Sequence, residues 1–118
     1  MRILIVENDE RLREPLAEGL RQAGYEVIEA SNGREALSLL DEHSPDLLVT
    51  DISLPGDSSG WEVANHGRYR NPDLGVIYAS GFPQERDREV PRSRHLTKPF
   101  KVGQLIAAAT EIALERGL

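Results

Sequence analysis

Six side chains in this chain have the types to do chemistry together, and each stands just beyond a short apolar run. Glu7, Asn8 and Asp9 follow Ile3-Leu4-Ile5-Val6. Asp51 follows Leu47-Leu48-Val49-Thr50, Ser80 follows Val76-Ile77-Tyr78-Ala79, and Lys98 follows the brief stretch His95 to Thr97. The set combines carboxylates, an amide, a hydroxyl and an ammonium, with no thiol and no histidine pair. Oxygen donors favour a hard cation such as Mg²⁺, which takes one or two carboxylates and keeps several waters. A lysine and a small hydroxyl beside them can hold the oxygens of a phosphoryl group. The chemistry suggested is phosphoryl transfer to a carboxylate, with Asp51 as the acceptor. Positioning and charge neutralisation carry most of such a transfer.

These residues meet only if the runs before them are strands of one sheet. Arg2 to Val6 is a near-continuous apolar run, as a strand buried on both faces is. Leu12, Leu16 and Leu20 recur every four residues and Gly24 supplies a stop, so a helix fits between. Pro15 lies too deep for the first turn of a helix starting at Glu10, which predicts a late start or a kink. Tyr25 to Ala30 reads as the second strand. Ser31-Asn32-Gly33 reads as the turn and cap of a second helix marked by Ala36, Leu37, Leu39 and Leu40. A loop containing Pro55, Gly56, Ser58, Ser59 and Gly60 precedes a third helix over Trp61 to Arg70. A final helix from about Val102 to Arg116 carries Leu105, Ile106, Ala109, Ile112 and Ala113 on one face. Strands alternating with helices predict a doubly wound α/β fold, a five-stranded parallel sheet with helices on both faces. In open sheets of this kind, sites form beyond the carboxyl ends of the strands.

The 118 residues suit one domain, 1–118, with one core. Hydrophobic residues at 39% and charged residues at 29% are ordinary for a soluble globular chain. No apolar run approaches the roughly 18 residues of a membrane span, and the first run stops at Glu7, too soon for a secretory leader. The absence of cysteine excludes disulfides and zinc–thiolate sites, and a cytoplasmic location fits. A net charge of −6 repels phosphodiester backbones, so neither direct nucleic-acid binding nor a membrane association is expected.

On these residues the chain resembles the receiver domains of two-component response regulators. The resemblance rests on Ile3-Leu4-Ile5-Val6-Glu7, on Asp51-Ile52-Ser53-Leu54-Pro55-Gly56 with Gly60 following, on Ser80-Gly81 and on Lys98-Pro99-Phe100. It covers nearly the whole chain and implies the flavodoxin-like, CheY-like strand order 2-1-3-4-5. It further implies that Asp51 accepts a phosphoryl group from a histidine kinase or a histidine phosphotransfer protein. Mg²⁺ would be held by Glu7, Asn8, Asp51 and the main-chain carbonyl of Ser53. Ser80 matches the hydroxyl that moves toward the phosphoryl group, and Lys98 matches the salt-bridging lysine, whose bond to Pro99 is usually cis. Such a domain is a signalling element whose only turnover is self-phosphorylation from small donors and autodephosphorylation. Residues two beyond Asp51 and Ser80 tune that loss. They are Ser53 and Phe82 here, and because a phenyl ring cannot orient water, a persistent phosphoryl group is expected. The downstream effector is not identified, and homodimerisation on activation is left open. With no room for a DNA-binding output domain, the expectation is a stand-alone regulator or a receiver cut from a longer protein.

Three features depart from the family pattern. Asn8 stands where a second acid is usual, so Glu7, Asp51 and Lys98 leave the pocket at a formal −1. An amide oxygen coordinates magnesium without bringing charge, which predicts weaker Mg²⁺ binding with phosphorylation retained. Asp9 is expected outside the pocket as a helix N-cap. His95 stands where an aromatic switch residue, tyrosine or phenylalanine, is usual. An imidazole is smaller and can charge near neutral pH, so the switch pair Ser80 and His95 would couple differently, although a packed edge residue is the plainer role. Finally, Ser80 and Lys98 are 18 positions apart, short of the family spacing by about four residues, one helical turn. A short or irregular fourth helix follows. Asn8 and His95 also motivate a competing function, a pseudo-receiver that docks a partner without phosphorylation. Elsewhere the plain structural roles are expected: Trp61 packs near the start of the third helix, His43 and His66 are solvated, and Arg86 to Arg94 form a solvated loop.

Overall fold

Each apolar run becomes a strand, and helices form in stretches between them. The computed structural model describes residues 1–81 and 86–118. In chain order it contains β1 (Arg2–Val6), α1 (Glu10–Gln22), β2 (Glu26–Ala30), α2 (Gly33–His43), β3 (Leu47–Asp51), α3 (Gly60–Arg70), β4 (Gly75–Ser80), a 3₁₀ turn (Arg86–Arg88), β5 (Arg94–Thr97) and α4 (Val102–Glu115). All strand pairs are parallel, in the order β2-β1-β3-β4-β5. This is the doubly wound architecture and the order that the resemblance implies.

The period-2 pattern of the strands divides the core between two faces. Leu4, Val6, Leu48, Val76 and Tyr78 face Ala36 and Leu40 of α2 and Val63 and Ala64 of α3. Ile3, Ile5, Leu47, Val49 and Ile77 face Ala17 and Leu20 of α1 and Leu105, Ala109 and Ile112 of α4. Because β1 and β3 are covered on both sides, their side chains are buried whichever way they point, and each large apolar one stabilises by roughly 1.5–3 kcal/mol. That explains the uninterrupted apolar runs.

The helix starts follow local side-chain chemistry. Asp9 caps α1 by accepting the Arg11 N–H at 3.0 Å, Asn32 caps α2 by accepting the Glu35 N–H at 2.8 Å, and Ser59 with Glu62 forms a capping box on α3. The late start suggested by Pro15 does not occur: α1 begins at Glu10 and continues through Pro15. Pro15 and Arg11 are both exposed, so the carbonyl that loses its helical donor lies where water can serve it.

Between β4 and β5 the described residues hold the 3₁₀ turn and no α-helix, so α4 is the C-terminal helix. Phe82 and Pro83, on which part of the sequence reading falls, lie outside the described residues. The turn is tethered from several sides. The buried Tyr78 hydroxyl accepts the Val90 N–H at 3.0 Å, and Arg68 donates to the carbonyls of Leu74 and Pro91, each at 2.6 Å. The Arg88 guanidinium stacks over the Trp61 ring at 4.1 Å. Arg92 donates to the Pro72 carbonyl at 3.2 Å, and Arg94 pairs with both Glu111 and Glu115 of α4. Arg88 and Arg92 remain exposed, as a solvated loop predicts, while Arg94 is partly buried against α4. The partners of these arginines lie on α3, on the α3–β4 loop and on α4, where no local pattern reveals them.

Candidate functional site

Register brings the strand ends together. Thr50 is aligned with both Val6 and Tyr78, and Ser80 with Thr97, so the residues that follow share one edge of the sheet. The ladder continues past the strands: the Lys98 N–H donates to the Ser80 carbonyl at 2.7 Å and the Glu7 N–H to the Ala30 carbonyl at 3.1 Å. The β3–α3 loop is closed beneath this edge by Gly60. A Cβ there would lie 2.1 Å from the Asp51 carbonyl oxygen, so only glycine lets α3 start so close to the strand end. Gly33 plays the same role for α2, where a Cβ would lie 2.5 Å from the Ser58 carbonyl.

At this edge Lys98 bridges two carboxylates. Its Nζ donates to Glu7 Oε1 at 2.6 Å and to Asp51 Oδ2 at 3.2 Å. Glu7 is only 6% exposed, and a buried carboxylate must be paired. Its second oxygen accepts the Asp9 N–H at 3.0 Å. Burial pushes the Asp51 carboxyl above its ordinary range, and the neighbouring Glu7 charge adds to this against the opposing pull of Lys98. Burial pulls the Lys98 ammonium the other way, but the hydrogen bond it donates to Glu7 and the charges of Asp51 and Glu7 leave it held above the usual lysine range. Lys98 is thus fixed as a cation between the two acids. The Lys98–Pro99 bond is cis, as the resemblance implies.

Asp51 and Ser80 line a cleft of about 490 Å³ with Ser53, Leu54 and Trp61. Glu7 and Lys98 open onto a neighbouring groove of about 480 Å³ beside Leu12, Leu16 and Phe100. The Ser80 hydroxyl lies 2.8 Å from Nε2 of His95, on the edge strand. Of the candidate residues, then, Glu7, Asp51 and Lys98 are in contact, Ser80 shares the cleft of Asp51, and His95 touches Ser80. Asn8 is exposed, and no hydrogen bond holds its side chain among the described residues. Ser53 is exposed on the cleft wall. Asp9 is the α1 cap and points its carboxylate at Arg11.

The donors present suit a hard cation in kind: two carboxylates, an amide and a main-chain carbonyl, with no imidazole or thiolate among them. Among the described residues no group of three His, Cys, Asp or Glu side chains converges, in keeping with an amide in place of the second acid.

Sequence reasoning missed one residue that shapes the site. Arg13 donates from Nη1 to the Glu7 carbonyl at 2.9 Å and from Nε to Glu29 at 3.0 Å, while Arg21 holds the same Glu29 at 3.1 Å. This network anchors the backbone at the end of β1. Arg13 stands in α1 among the charged residues Glu10, Arg11 and Glu14, so no local signal singles it out. His66 was expected to be solvated, but it is half-buried and bonded to Asp41 at 2.8 Å, holding α3 to α2.

Comparison with known proteins matches residues 3–110 to the model of the response regulator receiver domain. Among curated relatives, the transcriptional regulatory protein PdtaR of Mycobacterium tuberculosis is 35% identical over 123 residues, covering 98% of this chain and 57% of that protein. The response regulator receiver protein CpdR of Brucella abortus is 36% identical over 109 residues, covering 89% of this chain and 90% of that protein. The chain therefore spans little more than half the length of PdtaR but most of CpdR. Among solved structures, a response regulator receiver protein from Sinorhizobium medicae superposes with a TM-score of 0.89 at 31% identity, covering 95% of this chain and 93% of that one. The receiver domain of the hybrid histidine kinase CckA gives a TM-score of 0.82 at 31% identity, covering 95% and 98%. Among the described residues no helix is long and apolar enough to cross a membrane. Receiver domains are signalling domains that work with histidine kinases and effectors in two-component systems, and the chain belongs to the response regulator receiver family.

Proposed function

We propose that residues 1–118 form one cytoplasmic phosphoacceptor unit in which Asp51 takes a phosphoryl group from a histidine kinase or a histidine phosphotransfer protein. The observation that carries this reading is the bridging ammonium: Lys98 Nζ stands 3.2 Å from Asp51 and 2.6 Å from Glu7, and Asp51 in turn shares a cleft with Ser80. In the transfer, a carboxylate oxygen of Asp51 attacks phosphorus, the O–P bond forms as the P–N bond of the phosphohistidine breaks, and the imidazole leaves. Lys98 and the Ser80 hydroxyl take the phosphoryl oxygens as hydrogen-bond acceptors. Glu7, Asn8, Asp51 and the Ser53 carbonyl would hold Mg²⁺, which supplies neutralisation of the phosphoryl charge. With Asn8 in place of an acid, that binding is weaker than a pair of adjacent acids would give.

Incubation with acetyl phosphate and Mg²⁺, followed by intact mass, tests this. The expected result is a gain of one phosphoryl group that disappears in Asp51→Ala and persists on standing. A second reading is favoured by Asn8: a pseudo-receiver that docks a partner without phosphorylation. No mass gain at any magnesium concentration selects it and removes the first.

A further inference from the structure

Trp61, the one tryptophan of the chain, stands in the first turn of α3. Its ring is half-buried against the core on the α2–α3 side of the sheet, and it also lines the cleft that holds Asp51 and Ser80. The indole N–H is closed to solvent and has no hydrogen-bond partner among the described residues. A buried indole ordinarily finds an acceptor, and a donor left without one loses its hydration with nothing in return. Packing does not demand that loss. A phenyl ring would fill the same wall and take the same guanidinium on its face, with no donor to satisfy. The unpaired N–H beside the acceptor carboxylate therefore marks a bond that this state of the domain does not yet make.

Resting on the reading of Asp51 as the phosphoacceptor, we propose that Trp61 is a further phosphoryl-binding residue: its indole N–H, unpaired in the unphosphorylated domain, donates to an oxygen of the phosphoryl group on Asp51. That group brings three strong acceptor oxygens into the cleft. The other ionisable side chains on the cleft wall, Asp57 and Glu62, are acids, which as carboxylates only accept. A neutral N–H adds a donor without a charge to desolvate. Because Nε1 is closed off in the unphosphorylated state, the ring turns about its side-chain bonds to make the contact. The turn gives up the face contact with the exposed Arg88 at 4.1 Å, a weak interaction at such a site, and gains a charge-assisted hydrogen bond.

The test uses the purified chain with Mg²⁺ and beryllofluoride, a non-covalent phosphoryl mimic. Because the chain has one tryptophan, growth of a tryptophan auxotroph on β-(3-benzothienyl)alanine replaces Trp61 alone, putting sulfur where the N–H stands and keeping the shape of the ring. Beryllofluoride binding is expected to weaken by roughly 2- to 10-fold, the worth of one hydrogen bond. The ligand-free melting temperature is expected to hold level or rise, since the replaced donor was unpaired. In the unaltered protein the single indole N–H signal is expected to move downfield on saturation with beryllofluoride, a readout that needs no replacement to fold. Unchanged or tighter binding, a ligand-free melting temperature that falls along with affinity, or an indole signal that does not move downfield each overturns the proposal. Normal binding at Asp51 that ignores the indole N–H sinks this inference alone. Failure of the unaltered protein to bind beryllofluoride at Asp51 sinks the phosphoacceptor reading with it.

Discussion

On the β1–β3 side of the sheet edge, two carboxylates are tied to one ammonium at 2.6 and 3.2 Å. On the β4–β5 side, a hydroxyl meets an imidazole at 2.8 Å, and the segment beyond it is held by arginine and tyrosine side chains reaching backbone groups. The first side is fixed by charge in a partly buried setting, where removing one partner strands the others. The second is fixed by hydrogen bonds worth about 1 kcal/mol each, which can exchange partners at little net cost. The proposed role, accepting a charged group and then reporting it, calls for this division. On that proposal the acceptor side stays fixed and the reporting side moves.

Cutting each side separately sharpens this contrast. Lys98→Met, which keeps the apolar stem, leaves Glu7 and Asp51 facing each other without a cation. A loss of roughly 2–3 kcal/mol at neutral pH is expected by chemical denaturation, shrinking in acid as the carboxylates protonate. A loss indistinguishable from that of an exposed lysine would show that charge does not fix the acceptor side. Asn8→Asp adds a carboxylate to the same side. Since a unit charge a few ångströms from a divalent ion is worth on the order of 1–2 kcal/mol even in water, Mg²⁺ affinity by calorimetric titration should rise about tenfold at low salt. Equal affinities would place Asn8 outside the metal site.

On the reporting side, Tyr78→Phe removes the acceptor for the buried Val90 N–H. It should cost about 1 kcal/mol and speed exchange of the Val90 amide while leaving that of Asp9 unchanged. Equal acceleration at both amides would mean that the two sides are one cooperative unit. The smallest effect is expected at Asp51→Asn. Burial raises the Asp51 carboxyl above its ordinary value, so the folded state binds that proton more tightly than the unfolded one. The stability this contributes is present below the ordinary aspartate range and is lost as pH rises through the raised folded value. Asp51→Asn should therefore melt about 2 °C higher than the parent at neutral pH, with the difference vanishing in acid. A lower melting temperature at neutral pH would show that the pairing with Lys98 outweighs desolvation.

Much of this was legible in the residues. The alternation of strands and helices and the capping residues Asp9, Asn32 and Ser59 follow from patterns spanning a few positions. So does the gathering of Glu7, Asp51, Ser80 and Lys98 at one sheet edge, once strand ends and a parallel sheet are read together. Pro15 did not delay the start of α1, because local sequence does not say which side of a helix faces water. The contacts of the arginines from 88 to 94 were not legible for a related reason. Their partners are Trp61, Pro72, Glu111 and Glu115, on elements that only packing brings near.

By itself, then, the sequence determined which residue types stand beyond each strand, because burial periodicity and capping are local properties of the chain. Only the tertiary structure decided that one ammonium serves both Glu7, 91 positions away, and Asp51, 47 away. It alone decided that Arg13 anchors the Glu7 carbonyl and that the His95 ring ends on the Ser80 hydroxyl. Such contacts depend on strand register and on the side-chain reach left by packing, and neither quantity is written in any short stretch of residues.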